Sequence, residues 1–583
     1  MPSGHVSCAL LRVLMLLFGV VGTASCSSTS ALVDIWPVRT DADTVSATDA
    51  RLADGADGVL KLIAAKGEVA SASVAFRAAG APVTVRVQTG NAIAEKVGSE
   101  FSSLNVDAHY VKHWFQGEPG WQSHRLTKSR AVRLVPELLL KNPELVRVDR
   151  ARRVNNVLVE TDAGPRYRPT ATGQTFTGPH ILPQDFSVLP DASALQPIAV
   201  PPGMSQQVWL TFRIPREQAA GVYSGAIEIQ TEDGRVSARL PYELEVLPFE
   251  LDPPTLLYGM YYRGQLQPGA IGISSELKSA KQLAIELSDI ADHGFAFATQ
   301  FQGNFNPVSR ARLAQLRSAQ QSNAYRDIYD QMGFTREAVF LFGIGTAKAA
   351  ASPKVTRRTV SEYQARGYDH VYFAGRDEAK GEALKAQREA WSTLRQLGAR
   401  VIATNNRHDL LDNGMGDALD VAVLARDFDP AEARQLRAQG VRRVLSYSHP
   451  QTATEDPTEY RRNYGFGLVA ADYDGALLYA YQHSFGSIWD DVDHTVFRDH
   501  NLTYPTTDGV IGTVAWEGVR QAINDARYMA TLERLAAESS TGDSTLYRQV
   551  AELKTALRND NNWQPDEVRG RIVSLIRRAL GEQ

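Results

Sequence analysis

The sequence predicts a multidomain protein in which an all-β sandwich is followed by an α/β TIM barrel, a (β/α)8 fold, with a helical C-terminal tail. Three observations predict this. Short strands with polar alternation dominate up to about residue 251, three prolines then stiffen residues 247–254, and strand-like runs alternate with helical runs beyond them. A chain of 583 residues with 43% hydrophobic and 22% charged residues has room for more than one globular domain.

The first residues have the pattern of an export signal. Residues 10–21 form an apolar core that is too short to span a bilayer comfortably. The small residues of 22–25 before Cys26 resemble a bacterial lipoprotein cleavage box, and an ordinary secretory signal cut nearby is the alternative. The two cysteines, Cys8 and Cys26, both lie here, so cleavage would leave one cysteine at the mature N-terminus. We therefore expect a lipoprotein signal peptide over 1–25, lipidation of Cys26, and an exported protein anchored to the cell envelope, at the outer membrane or facing the periplasm.

Residues 26–252 are predicted to form the β-sandwich. Glu232-Asp-Gly-Arg235 is a turn signal between the last two strands. The stretch 116–186 is less regular and is expected to form long loops near the neighbouring domain. Trp114, Trp121 and Tyr167 are expected to pack in a core, with a pocket wall as the alternative. The alternating stretches that predict strands are 73–77, 83–88, 207–214, 225–230 and 240–246.

Residues 253–535 are predicted to form the barrel and residues 536–583 a helical tail. Helical sequence is expected from about residue 524 onward, and Pro565 opens the last helix, over 566–580. The eight predicted barrel strands are 256–262, 295–300, 338–344, 370–375, 400–404, 420–424, 443–447 and 475–481. The helical runs between them are 275–293, 310–332, 359–367, 379–396, 430–439 and 456–464.

Two adjacent carboxylates, Asp377 and Glu378, directly follow the fourth predicted strand. Barrels place their chemistry at the carboxyl ends of strands, so this pair is the first candidate for catalysis. The alternative is that one of the two carboxylates merely caps the helix predicted over 379–396.

Other polar and aromatic residues follow the remaining strands and suit a sugar, whose hydroxyls need hydrogen bonds and whose apolar face stacks on aromatic rings. No metal-ligand motif, phosphate-binding glycine loop or serine nucleophile motif is visible, and the net charge of -4 indicates no nucleic-acid surface. We therefore expect a glycan partner and no cofactor or metal. The candidate substrate-binding residues at these positions are Arg263, Asn405, Tyr447, His483, Trp489 and Asp490.

Neighbouring carboxylates cannot easily flank one anomeric carbon, whereas a direct retaining pair stands about 5–5.5 Å apart. Adjacent carboxylates can instead take the two roles that substrate-assisted hydrolysis requires, in which the sugar's own 2-acetamido group attacks C1. Glu378 would then be the general acid and base, and Asp377 would orient the acetamido N–H. Tyr447 is a candidate to hold the acetamido carbonyl, and Trp489 to wall the pocket.

Two other functions stay open. One is a glycosidase for another sugar, pairing Asp377 or Glu378 with a distant carboxylate such as Glu455, Asp490 or Asp491. The other is a non-catalytic envelope lipoprotein that binds glycans, because barrels host many functions.

The order of these features, together with one C-terminal motif, resembles glycoside hydrolase family 123. The motif runs from Asn501-Leu-Thr-Tyr-Pro505 through Gly512-Thr-Val-Ala-Trp516-Glu517 to Tyr528. The resemblance implies a β-N-acetylhexosaminidase type of hydrolase, N-acetylgalactosaminide-like in substrate, with Asp377 orienting the acetamido group and Glu378 as acid and base.

The chain departs from the family pattern at two positions. Ala379 stands where the family usually has proline, and Ala515 precedes Trp516 and Glu517 where the family usually has arginine. Trp516 and Glu517 are candidate substrate-binding residues by this motif. The alternative for Glu517, with Arg520 and Asp525, is an ion network on a helix surface.

Overall fold

The computed structural model describes thirteen stretches of the chain. The predicted signal peptide, Cys26 and Trp121 lie outside them. Among the described residues, none of the helices is both long and apolar enough to cross a membrane. The described stretches are residues 32–38, 58–96, 98–117, 132–171, 173–177, 187–267, 269–270, 273–301, 319–447, 449–452, 455–539, 544–560 and 562–581.

The N-terminal region is a sandwich of two β-sheets, as predicted. Its core includes Phe76, Phe212 and Tyr242, which lie on strands of the two facing sheets. The first sheet contains, in spatial order, Val33–Pro37, Val69–Ala78, Ser205–Arg213, Val106–Gln116 and Arg133–Leu140. The second contains Ile198–Val200, Val83–Thr89, Gly221–Thr231, Val236–Glu250 and Leu60–Lys66, with the short strands Ala92–Ala94 and Ser99–Phe101 at its side.

The expectation of long loops over 116–186 is wrong for the described part of that stretch. Val157 and Val159 are buried there, and exposed or half-exposed residues alternate with them, which is the pattern of a one-sided strand. Their polar neighbours hid this alternation in the sequence. One strand of this region, Arg133–Leu140, extends the first sandwich sheet, and four others form a small sheet: Val146–Asp149, Val154–Glu160, Arg166–Pro169 and Ser187–Val188.

The eight barrel strands lie where the sequence predicts them. Strand two is split: Phe297–Ala298 pairs with strand one and Gln300–Phe301 with strand three, so this strand joins the two ends of the parallel sheet. The interior is tight, because a Cβ on Gly259 would lie 2.1 Å from the ring of Phe297. In order, the strands are Leu257–Met260, the split strand two, Ala338–Phe342, His370–Ala374, Arg400–Asn405, Val421–Ala425, Arg443–Tyr447 and Gly475–Leu478.

The helices around the barrel follow the predicted order, with one correction near the acidic pair. The continuous helix expected over 379–396 is two short helices, Gly381–Lys385 and Arg388–Gln396. The N-cap residue of the first of them is Lys380, whose side chain makes no capping hydrogen bond, and Asp409 Oδ1 accepts from the Gly381 N–H at 3.2 Å. The capping role considered for the carboxylates is therefore wrong. The other helices are Ala280–Asp292, Ala319–Asp330, Thr346–Ala350, Pro353–Ala365, Asp409–Asp412, Pro430–Ala438, Pro457–Arg462 and Leu468–Ala471, with a π-helical turn at Asn463–Gly467.

A helix of 26 residues, Val514–Ser539, follows the barrel strands and forms hydrogen bonds to the sandwich. It begins at Val514, before the position of about 524 at which helical sequence was expected, and runs through the predicted boundary between barrel and tail. The Gln521 amide donates to Ser71 Oγ at 2.9 Å, and the Tyr528 hydroxyl donates to Glu68 Oε2 at 2.7 Å. The helical tail continues with Ser544–Asn559 and Pro565–Ala579.

Candidate active site

The acidic pair lies in the loop at the carboxyl end of strand four. Glu378 has a φ of 44°, in the left-handed region that a non-glycine residue adopts at a cost of about 1–3 kcal/mol. Strand five supports this loop, because the buried Asn405 amide donates to the carbonyl of Ala379 at 3.2 Å. Asn405, predicted to bind substrate, thus contacts the loop that carries Glu378.

Each carboxylate accepts a hydrogen bond from the end of strand five or the residue after it. Thr404 Oγ1 donates to Asp377 Oδ1, and Asn406 Nδ2 donates to Glu378 Oε2. Asp377 is exposed, whereas Glu378 is half-buried. Burial first, and the charge of Asp377 second, raise the pKa of Glu378 above its ordinary value, and Lys380 opposes this weakly. A carboxyl group with a raised pKa is suited to donate a proton near neutral pH.

Three tyrosines from strands one, seven and eight meet inside the barrel mouth. The ring centroids of Tyr261 and Tyr479 are 5.0 Å apart. The ring centroid of Tyr447 lies 5.6 Å from that of Tyr261 and 5.7 Å from that of Tyr479. Burial raises the pKa of all three, and the charge of Asp377 adds to this in each. The structure therefore brings Tyr447, a predicted site residue, together with the acidic pair.

Tyr261 and Tyr479 were missed as site residues. Both lay inside predicted strands, and inward alternation with Leu257 and Leu477 was the signal that could have found them. Tyr261 also hydrogen-bonds Thr404, the residue that holds Asp377.

Arg263 and His483, two predicted site residues, meet at the hydroxyl of Tyr479. The guanidinium of Arg263 hydrogen-bonds this hydroxyl and also donates to Glu276 Oε1 at 2.6 Å. His483 Nδ1 lies 2.6 Å from the same hydroxyl. Burial, then the charge of Arg263, hold the pKa of His483 well below its ordinary value, so the imidazole is neutral. Both residues therefore orient Tyr479.

Trp489 and Asp490 lie in a different part of the molecule's core. Trp489 is 1% exposed, packs edge-on to Trp114 at 6.1 Å, and donates its indole N–H to the carbonyl of Pro505 at 2.9 Å. Trp114 is thus in a core, as expected. Asp490 is also buried. The substrate-binding roles of Trp489 and Asp490 stay predictions.

Two of the three distant carboxylates considered as second catalytic groups, Glu455 and Asp491, are engaged in buried polar contacts. Glu455 forms ion pairs with Arg133 at 2.7 Å and Arg498 at 2.5 Å. Asp491 accepts hydrogen bonds from the Tyr504 hydroxyl at 2.8 Å and from the Gln116 amide at 3.0 Å. Arg133 and Gln116 belong to the sandwich, so these carboxylates join the two domains.

Trp516 and Glu517 lie on the long helix, outside the barrel strands. Trp516 stacks on His293 with centroids 4.0 Å apart, and its indole N–H donates to Asp289 Oδ2 at 3.0 Å. Glu517 lies 3.2 Å from His293 Nε2 and 3.0 Å from Arg520 Nε. Burial alone would raise the pKa of Glu517, but Arg520 and His293 outweigh it and hold that pKa well below the ordinary value.

The helix-surface ion network considered for Glu517, Arg520 and Asp525 is wrong in two respects: Glu517 pairs with Arg520 while Asp525 pairs with two other arginines, and these ion pairs are not on a surface. All three residues are buried, and Asp525 bonds Arg461 at 2.9 Å and Arg569 at 2.6 Å. The alternative is corrected in this respect, because the sandwich and the tail helices cover the helix on which these residues lie. Substrate contact by Trp516 and Glu517 stays a prediction.

One group of potential metal ligands occurs in the described part of the chain. Ligand atoms of His408, Asp429 and Glu432 all lie within 4.8 Å of one another. The guanidinium of Arg426 already contacts Glu432, and Asp429 accepts backbone N–H groups at the start of helix Pro430–Ala438. Because these ligands have partners, we assign no metal to them.

Comparison with known proteins places the fold. No protein-family model matches the sequence, and no curated protein matches it. Among solved structures, a family 123 glycoside hydrolase from Clostridium perfringens, described for glycolipid glycan hydrolysis, aligns with 94% of this chain and 97% of its own, with a TM-score of 0.63 and 11% identity. A β-glucuronidase from Bacteroides uniformis aligns with 75% of this chain and 47% of its own, with a TM-score of 0.28 and 9% identity. A β-glucuronidase from Parabacteroides merdae aligns with 79% of this chain and 52% of its own, with a TM-score of 0.30 and 10% identity.

In this chain a (β/α)8 barrel follows a β-sandwich and carries an acidic pair after its fourth strand. The likeness to the Clostridium perfringens structure spans nearly the whole chain, and at this identity it establishes the fold. The chain therefore has the fold of a family 123 glycoside hydrolase, and the predicted resemblance is confirmed at that level.

Proposed function

We propose that the protein is a glycoside hydrolase that removes terminal 2-acetamido sugars, N-acetylgalactosaminide-like in type, by substrate-assisted retaining hydrolysis. One observation carries the proposal: Asp377 and Glu378 are adjacent at the barrel mouth beside three tyrosines, and the pKa of Glu378 is raised. The fold shared with a family 123 glycoside hydrolase supports it.

Glu378 serves as the general acid and then as the general base. It donates its proton to the glycosidic oxygen while the bond from that oxygen to C1 breaks. The carbonyl oxygen of the 2-acetamido group forms a bond to C1 from the opposite face, which gives a cyclic oxazolinium ion. Water then adds to C1 with loss of a proton to Glu378, and the ring opens with the acetamido group restored.

Asp377 stabilises the charge that develops on the acetamido group. Its carboxylate accepts a hydrogen bond from the acetamido N–H, which orients the carbonyl toward C1 and balances the positive charge of the oxazolinium ion. Thr404 holds one oxygen of Asp377 and leaves the other oxygen for the substrate. The tyrosine hydroxyls nearby, that of Tyr447 first, are the candidates to donate to the acetamido carbonyl.

The test compares aryl glycosides that differ only in the 2-acetamido group. Wild type should cleave the acetamido member with retention of configuration, and Glu378→Gln should lose at least about 100-fold in kcat/KM, as loss of general acid–base catalysis predicts. Glu382→Gln is the matched control, because this carboxylate lies in the next helix, is 89% exposed and pairs with Lys385. It should leave the rate unchanged.

The other outcomes lead to the two remaining functions. Cleavage of plain sugars would overturn the substrate-assisted mechanism in favour of a pair that includes Glu455, Asp490 or Asp491. Absence of cleavage, with oligosaccharide binding that Glu378→Gln leaves unchanged, would favour a glycan-binding lipoprotein.

We also propose that the protein is exported and anchored through a lipid on Cys26. The apolar run before this residue and the small residues next to it support this. Mass spectrometry of the mature N-terminus should find a diacylglyceryl cysteine, and Cys26→Ser should release the protein from the membrane fraction. A mature N-terminus elsewhere would contradict lipidation.

A further inference from the structure

The side-chain amide of Asn406 contacts Glu378 with one end and has an unused acceptor at the other. Its Nδ2 donates to Glu378 Oε2. Its Oδ1 is buried and has no hydrogen-bond partner among the residues that the structure describes. Leaving a buried acceptor without a hydrogen bond costs about 1–3 kcal/mol. The unsatisfied Oδ1 beside the catalytic carboxyl group therefore calls for an explanation.

The two ends of an amide match the two protonation states of a carboxyl group. An ionised carboxylate accepts hydrogen bonds, so it pairs with the Nδ2 donor. A protonated carboxyl group has an O–H to donate, so it pairs with the Oδ1 acceptor. Oxygen and nitrogen of an amide are nearly equal in size, and rotation by 180° about the last side-chain bond exchanges them in place. Asn406 can therefore bond Glu378 in both states.

We propose that Asn406 is a positioning residue that keeps a hydrogen bond to Glu378 through both protonation states by rotating its amide. This inference rests on the proposed function, in which Glu378 cycles between acid and base. Asn406 then holds the carboxyl group in one orientation while its proton leaves and returns. The unpartnered Oδ1 accepts the carboxyl O–H before substrate binds; the proton then passes to the glycosidic oxygen, and the ionised carboxylate accepts from Nδ2.

The surroundings of Glu378 explain why such a partner is needed. Its backbone is in the left-handed region, and its loop is held by Asn405 through the carbonyl of Ala379 rather than through the carboxyl group. Within the described structure, Asn406 donates the side-chain hydrogen bond to this carboxylate. Without it, the carboxyl group would be free to turn away from the glycosidic oxygen.

The test uses two variants of similar size, Asn406→Asp and Asn406→Leu, with two readouts that a merely structural role would not move together. The first readout is the alkaline limb of the pH profile of kcat/KM, which reports the pKa of Glu378 in the free enzyme. Asn406→Asp places a negative charge beside Glu378 and should move the limb upward by about 1 pH unit, whereas Asn406→Leu removes a bond from both protonation states and should move the limb much less.

The second readout is the dependence of the rate on the leaving group. Asn406→Leu should lose about 10-fold in kcat for aryl glycosides with poor leaving groups, which need the acid most, and much less for activated ones. Asn406→Asp keeps an acceptor for the protonated acid and should lose less with the poor leaving groups. Asn413→Asp is the matched control: this half-buried asparagine holds the backbone carbonyl of Asp409 at 2.7 Å and should change neither readout.

The failures of the two proposals are distinguishable. If Glu378→Gln keeps the wild-type rate, the proposed function fails and this inference fails with it. If Glu378→Gln is inactive while both Asn406 variants keep the wild-type pH limb and leaving-group dependence, the positioning role alone is overturned. An equal loss for all leaving groups, with an unmoved limb, would also overturn it. Asn406→Asp, which is nearly isosteric, keeps the test valid if Asn406→Leu does not fold.

Discussion

Thr404, the penultimate residue of strand five, donates its hydroxyl hydrogen to Asp377 in the loop after strand four. The same hydroxyl hydrogen-bonds Tyr261 on the inner side of the barrel. Tyr261, Thr404 and Asp377 thus form one hydrogen-bonded chain that crosses from strand one to strand four. The position of the exposed carboxylate depends on this chain, because Asp377 itself lies in a loop.

Replacing Thr404 by valine removes the donor to Asp377 and keeps the shape. A hydrogen bond to a charged group contributes about 1.5–3 kcal/mol, so Thr404→Val should lower kcat/KM for 2-acetamido substrates by roughly 10- to 100-fold. Thr393→Val is the control, because the hydroxyl of this half-buried residue donates to the carbonyl of Glu389 in its own helix. A Thr404→Val enzyme with wild-type kcat/KM would show that Asp377 does not need this support.

The pH dependence should follow the raised pKa of Glu378. The acid must be protonated to act, so kcat/KM should fall as pH rises through that pKa. The Lys380 charge lowers this pKa, and Lys380→Met should therefore move the alkaline limb upward, by a few tenths of a pH unit because Lys380 is exposed. Lys385→Met, which pairs with Glu382, should leave the limb in place. A downward shift for Lys380→Met would contradict the assignment of the limb to Glu378.

The buried contact of Glu517 with His293 and Arg520 should stabilise the fold rather than bind substrate. Glu517→Gln leaves Arg520 without part of its charge compensation and should lower the free energy of unfolding by about 3–5 kcal/mol in urea titrations. The KM of the variant should be that of wild type. A raised KM with unchanged stability would instead support the substrate contact that the sequence motif predicts.

The stabilisation from this contact should weaken at both low and high pH. The pKa of Glu517 is lowered on folding, so its contribution is present above the ordinary carboxyl value of 4.5 and is lost as pH falls through the folded-state pKa. The pKa of His293 is raised on folding, because Asp289 and Glu517 outweigh burial and Arg520. Its contribution is therefore full below 6.5 and is lost as pH rises through the folded-state value. Glu517→Gln should flatten both slopes.

The barrel interior should not accept a side chain at Gly259. The added Cβ would lie 2.1 Å from the ring of Phe297, which stacks on Phe340 at 4.1 Å and cannot withdraw easily. Gly259→Ala should lower the free energy of unfolding by about 1–3 kcal/mol. Gly570→Ala is the contrasting variant, because no atom lies within 4 Å of its added Cβ in helix Pro565–Ala579, and it should stabilise by about 0.5–1 kcal/mol. Equal thermal midpoints for the two variants would contradict the tight packing.

The order of the elements and the place of the acidic pair follow from local sequence. Strand four and the carboxylates after it are local features, since a short β-branched and aromatic run predicts a strand wherever it lies. The helix C-caps were equally local: Gly294 and Gly398 have φ values of 89° and 83°, as a glycine after a helix requires.

Packing between residues far apart in the chain determines which aromatic and charged side chains surround the acidic pair. Tyr479 turned inward and Trp489 joined the core beside Trp114, although both lie close together in the sequence. Glu517 became buried because its helix packs against His293 at the end of helix Ala280–Asp292. The physical reason is that a side chain's surroundings depend on strand pairing and packing between residues far apart in the chain, whereas strands, turns and caps depend on neighbours.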